Sequence, residues 1–147
     1  MEAVPESITV QVAPGELIDK ITILEIKIQK ISDVTKQRKI QAEFDALKFV
    51  RDREIGQSKE IVLLTSELKA VNQRLWQVED DIRLCERAKD FGPRFIELAR
   101  SVYHENDRRA ALKRRINELL GSHIVEEKCY ANCETRSTGI NTKGFAC

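Results

Sequence analysis

The residue types best suited to chemistry lie on one stretch of helical pattern. Asn72, Trp76, Glu79, Asp80 and Arg83 stand at i, i+4, i+7, i+8 and i+11, which lines them along one stripe of an α-helix. Two carboxylates, an amide, a guanidinium and an indole on one face can bind a ligand or a partner. The same set also reads as a solvated face whose amphipathic tryptophan lies over a neighbouring helix. Two other segments add polar residues: Asp19, Thr22 and Glu25 interrupt an apolar run near the start, and Tyr103, Asn106 and Asp107 interrupt a later one. If the three sets meet, the protein has a polar layer in a helical core. Such layers either fix helix register or bind a ligand.

Other chemistries have thinner support. Glu16-x-x-Asp19 and Glu79-Asp80-Asp81 are carboxylate sets of the kind that hold Mg²⁺ between helices in all-α nucleotide pyrophosphohydrolases. Only one such ExxD is evident, at a helix start where acids are favoured anyway, and no second ExxE pair follows. A chorismate-mutase-like site would need clustered Arg and Lys, yet the first helix has lysines and no arginine. Arg94, Arg100, Arg108, Arg109, Lys113, Arg114 and Arg115 make a locally basic segment that nucleic acid would seek. These charges circle the helix, however, and Tyr103 is the sole stacking aromatic beside them, so nucleic acid is not the expected partner. His104 falls in this polar run and is expected to be exposed. His123, Cys129, Cys133 and Cys147 do not follow a zinc spacing, and Cys85 fits a core position as a small hydrophobe. Asp90-Phe-Gly occurs in kinases, but with no glycine-rich loop or paired lysine it reads as a turn. No serine or cysteine has a base motif nearby, so neither nucleophilic catalysis nor a cofactor is expected.

The elements that must position these residues follow from composition and periodicity. The 147 residues suit one domain. A formal charge of +1 gives no global field toward nucleic acid or acidic lipid. A third of the residues are charged, and aromatics, prolines and glycines are scarce, which favours an all-α fold. The first fifteen residues lack the apolar core of a secretory signal. No run approaches the roughly 18 apolar residues of a membrane span. A cytoplasmic protein without membrane insertion, its cysteines reduced, is the expectation.

Residues 7–12 alternate polar and apolar and are expected as a short strand, followed by a helix over about 14–31 that Pro14 opens. Leu17, Ile21, Leu24, Ile28 and Ile31 share one stripe of that helix, and Ile18, Ile23 and Ile26 add apolar surface elsewhere, so it is expected to be buried on several sides. Ser32, Asp33 and Thr35 are candidate caps for a second helix over about 36–55, striped by Ile40, Phe44 and Leu47. The third, about 58–89, has the strongest pattern: Ile61, Leu64, Leu68, Val71, Leu75, Val78, Ile82 and Cys85 at alternating spacings of three and four. Its seam would run for roughly 48 Å. Asp90–Pro93 is the stop, with Gly92 expected as a left-handed cap. A fourth helix, about 94–120, carries Leu98, Val102, Leu112, Ile116 and Leu119, with Glu105 and Arg109 breaking its stripe. Gly121 ends it, a second strand over about 123–130 is expected, and 131–147 reads as a mobile tail on a domain of 1–130.

Several segments carry a resemblance: Pro14-Gly-Glu-Leu-Ile-Asp-Lys-Ile-Thr-Ile-Leu-Glu-Ile-Lys27, Asn72-Gln-Arg-Leu-Trp-Gln-Val-Glu-Asp-Asp-Ile82, Phe95-Ile-Glu-Leu-Ala-Arg-Ser-Val-Tyr103 and the run Asn106–Gly121. Over residues 8–130, stopping at the tail, the chain resembles an uncharacterised family of small bacterial helical proteins. Such domains are found beside, or fused to, glycosyltransferase and surface-polysaccharide proteins. The resemblance implies an accessory role, with a glycosyltransferase as a protein partner, and no mechanism. Taken together, the expectation is a mainly all-α four-helix protein dominated by a long antiparallel hairpin, acting as a non-catalytic interaction module. The uncovered part of the long seam implies a homodimer. The alternatives are a small metal- or nucleotide-dependent enzyme of pyrophosphohydrolase type and, after it, a nucleic-acid binder.

Overall fold

The computed structural model describes residues 6–124. Within them the chain forms four α-helices and no strand: α1 (Pro14–Lys30), α2 (Val34–Glu54), α3 (Lys59–Ala88) and α4 (Pro93–Leu119). The fold is all-α, as the periodicity predicts.

Each helix begins where a side chain or a proline serves its free N–H groups. Of the three candidate caps before α2, Asp33 does the work, accepting from Lys36 N–H at 2.8 Å. Ser58 accepts from Ile61 N–H at the start of α3, and Pro93 opens α4. The cap residue of α1, Ala13, has no side chain to offer, and the missing acceptor comes from another helix: Gly15 N–H donates to the buried Asn117 Oδ1 of α4 at 2.7 Å. A Cβ at Gly15 would stand 2.5 Å from the Lys113 carbonyl oxygen and 2.8 Å from Asn117 Oδ1, so this approach of α1 to α4 requires glycine.

The stop after α3 differs from expectation. Lys89, at φ 53, takes the left-handed conformation, and Gly92, at φ −76, is instead the cap residue of α4. The left-handed residue comes three positions sooner because Asp90 N–H closes a 6→1 bond onto the Cys85 carbonyl at 2.9 Å, while the Asp90 carboxylate accepts from Gly92 N–H. At the end of α4, Gly121 adopts the left-handed φ of 65 expected of it.

The α3–α4 connection makes an antiparallel hairpin whose register is written in its ion pairs, Glu60–Arg115, Arg74–Glu105 and Asp81–Arg94. Helix α1 lies on this hairpin antiparallel to α4, and α2 folds back on the other side of α1, packing against no other helix. That central position explains why α1 is apolar around most of its circumference. The core sits at the end of the hairpin remote from its turn, where Ile18, Ile55, Ile61, Leu64, Leu68 and Ile116 cluster. No residue of α2 is fully buried, and its stripe of Ile40, Phe44 and Leu47 is half-buried.

The strand expected over 7–12 is not formed. A strand needs a partner for its ladder, none is present among the described residues, and Ile8 and Val10 are exposed. Of the second expected strand, 123–130, all but His123 and Ile124 lies outside the described residues, as does the segment 131–147.

Candidate functional site

Two polar residues of α1, Asp19 and Thr22, are buried and answered from two helices. Asp19 is 1% exposed. Arg109 of α4 grips both of its oxygens, with Nε donating to Oδ1 at 2.8 Å and an Nη donating to Oδ2 at 2.5 Å. Asn72 of α3 donates from Nδ2 to the same Oδ1 and to Thr22 Oγ1, both at 2.9 Å. The Thr22 hydroxyl itself donates to the Asp19 backbone carbonyl at 2.7 Å. A forked guanidinium on a carboxylate is the strongest common ion-pair geometry, and here it ties three helices together. One turn earlier, Glu16 pairs with Lys113 at 2.6 Å.

Beside this network a groove of about 500 Å³ opens to the surface between α1, α3 and α4. Ile23, Ile26, Leu75 and Val102 form apolar walls; Asn72, Arg109 and Asn106 line it with polar atoms; Trp76, Glu79, Asp80 and Arg83 complete the lining. Its size is that of a small-molecule or side-chain pocket. The chemistry of Asp19 fixes the orientation of Asn72: a carboxylate only accepts, so the amide nitrogen must face it, and Oδ1 is turned elsewhere. No described residue donates to that oxygen, and none pairs with Asp80, whereas Glu79 holds Arg83 at 3.5 Å.

Of the residues singled out from sequence, Asn72, Trp76, Glu79, Asp80, Arg83 and Asn106 come together in the groove, and Asp19 supports it from behind through Asn72 and Arg109. Glu25, Tyr103 and Asp107 do not line it. Glu25 is bound to Lys69 of α3 at 2.7 Å, Tyr103 lies exposed against the His104 ring at 4.3 Å, and Asp107 faces outward. Periodicity places Tyr103 and Asn106 one turn apart, yet a three-residue step leaves them about 60° apart around the helix, and only Asn106 lines the groove. Sequence reasoning missed Arg109, Lys113 and Asn117 as partners of α1. The available signal was their i, i+4, i+8 spacing, a polar stripe matching Asp19, Glu16 and Gly15 in reverse order.

The carboxylates of the ExxD are both held by cations of α4, so a metal ion there would have to displace Lys113 and Arg109. Among the described residues no three His, Cys, Asp or Glu side chains converge. The set of His123 with Cys129, Cys133 and Cys147 lies outside the described residues except for His123, which is exposed, and Cys85 is half-buried on α3. Much of the positive charge of α4 is paired: Arg109 and Lys113 turn inward to Asp19 and Glu16, while the mostly exposed Arg94, Arg108 and Arg115 meet Asp81, Glu105 and Glu60 at the surface. Among the described residues no helix is long and apolar enough to cross a membrane.

A groove built across three helices, with its polar lining anchored by the Asp19–Arg109 ion pair, defines a helical protein with a formed surface cleft. The model of a family of unknown function, DUF6165, matches residues 8–146, and the chain belongs to that family. The match runs past residue 130, where the resemblance was expected to stop, and takes in nearly all of the C-terminal segment. Comparison with curated proteins finds no match, and comparison with solved structures finds none either.

Proposed function

We propose that the protein is a non-catalytic helical interaction module that uses the α1–α3–α4 groove as its recognition surface. The observation that carries this reading is the division of labour at the groove. Buried Asp19 and half-buried Arg109 are paired with one another, which suits a strut, while Asn72 Oδ1, Asp80 and the Trp76 indole beside them retain binding capacity. A catalytic acid or metal ligand would need the reverse, a reactive group left open to substrate.

The module acts as a homodimer. Helix α1, with 17 residues, covers about 26 Å, whereas α3, with 30, extends about 45 Å, so the turn end of the hairpin projects beyond its cover. Leu84 and Ile96 are 55% and 56% exposed there, with Phe91 exposed in the turn, and a second copy is the simplest cover. The cellular setting comes from the resemblance of its segments: a bacterial, cytoplasmic accessory to a glycosyltransferase or another protein of surface-polysaccharide assembly.

The reading is tested by titrating the purified protein with nucleotides, nucleotide sugars with Mg²⁺, oligosaccharides and short peptides. Emission from Trp76, the one tryptophan, reports the groove. Binding is expected with every ligand recovered chemically unchanged. Conversion of any of them, lost in Asp80→Asn, would make the protein an enzyme.

A further inference from the structure

The groove's unspent groups have one chemical bias. Its two cations are engaged, Arg109 by Asp19 and Arg83 by Glu79. What remains is one carboxylate with no ion-pair partner among the described residues, together with the uncharged polar groups of Asn72, Asn106 and Trp76. Asn72 is 6% exposed, with both amide hydrogens committed to Asp19 and Thr22, and its Oδ1 has no donor among the described residues. Asp80 is a carboxylate without an opposite charge among them. Trp76 adds a half-buried π-face that attracts cations. Ile23, Ile26, Leu75 and Val102 supply apolar wall for a hydrocarbon stem.

A phosphate or carboxylate ligand brings only acceptors and would meet Asp80 and Glu79. A neutral polyol leaves the Asp80 charge uncompensated. A guanidinium matches the unpaired carboxylate, the indole and the apolar wall: it is donor-only and planar, it stacks on indoles, and its three-carbon stem lies along apolar surface. We propose that the groove receives an arginine side chain of a partner protein, with the guanidinium on the Trp76 indole and paired with Asp80, and the stem against the isoleucines of α1. This deepens the interaction-module reading and rests on it. It names the partner's anchor as a basic residue flanked by apolar ones, the residue type enriched where interfaces concentrate their binding energy.

The single tryptophan makes the test site-specific, because its indole N–H gives one cross-peak in a ¹H–¹⁵N spectrum. The probes are three blocked tripeptides, acetyl-Leu-Arg-Leu-amide, the same peptide with citrulline, which keeps the shape and removes the charge, and the same with glutamate. Each is titrated to millimolar concentration into the full chain and into the Asp80→Asn variant, whose exposed position leaves folding intact. The expected result is a saturable shift with the arginine peptide that weakens about tenfold with citrulline and about tenfold in Asp80→Asn, with no response to glutamate. Equal binding of arginine and citrulline, or preference for glutamate, overturns the arginine assignment while leaving the groove as a recognition surface. An indole peak unmoved by all three peptides also overturns it. If the nucleotides and saccharides of the wider panel leave the peak unmoved as well, the reading of the groove as a recognition surface falls with it.

Discussion

Burying Asp19 is costly unless its charge is matched, and the match is supplied from 90 residues away by Arg109. Removing one member of such a pair strands the other. Arg109→Ala is therefore expected to lower unfolding stability by about 3–5 kcal/mol. Asp19→Ala combined with Arg109→Ala should cost less than Arg109→Ala alone, because no uncompensated charge is left behind. Urea denaturation of the single and double variants checks this, and a loss below about 1 kcal/mol for Arg109→Ala would mean that water already reaches the carboxylate. The sequence showed Asp19 as an acid inside an apolar run and Arg109 as a break in an apolar stripe. It could not pair them, since periodicity gives the face of a helix and not which face of another helix it meets. Asn72, Trp76, Glu79, Asp80 and Arg83 were legible as a set because they share one helix. Asn106 was legible as a polar break, and its neighbours Tyr103 and Asp107 were carried along with it although they point away.

Helices were legible wherever side-chain spacing alone decides them. The alternating three and four spacing of α3 left no other reading, and the all-round apolar pattern of α1 corresponds to a helix covered by α2 on one side and the hairpin on the other. The strand over 7–12 was not predictable in the same way, because alternation is a local signal and a strand exists only with a partner. The α3 stop illustrates a similar limit: a glycine was available, but the closing hydrogen bonds favoured Lys89 despite its Cβ. Helix α2 is the outlier of the fold, packed on α1 alone and without a fully buried residue. Its amides should exchange with solvent well before those of α1 and of α3 between Ile61 and Val71, where burial is deepest. Native-state hydrogen exchange measures this, and equal protection of α2 and α3 would show that the four helices open only as one unit.

At the scale of the whole molecule, cover is unevenly distributed. One end of the hairpin is sealed by α1 around Ile18 and Ile116, and the turn end carries its apolar residues beyond that cover. The length mismatch was legible from the sequence, since helix lengths follow from caps and periodicity. The groove was not, because it exists only where three helices diverge around Asn72 and Arg109. An interaction module of this shape should pair through the projecting end, with Leu84 and Ile96 buried between copies. Sedimentation equilibrium at micromolar concentration, on the wild type and on Leu84→Glu with Ile96→Glu, tests this most directly. The wild type is expected at twice the chain mass of 16.9 kDa and the double variant at that mass itself with its helicity intact. A wild-type protein that remains a single 16.9 kDa species across dilution would contradict the dimer and leave the hairpin end as bare surface.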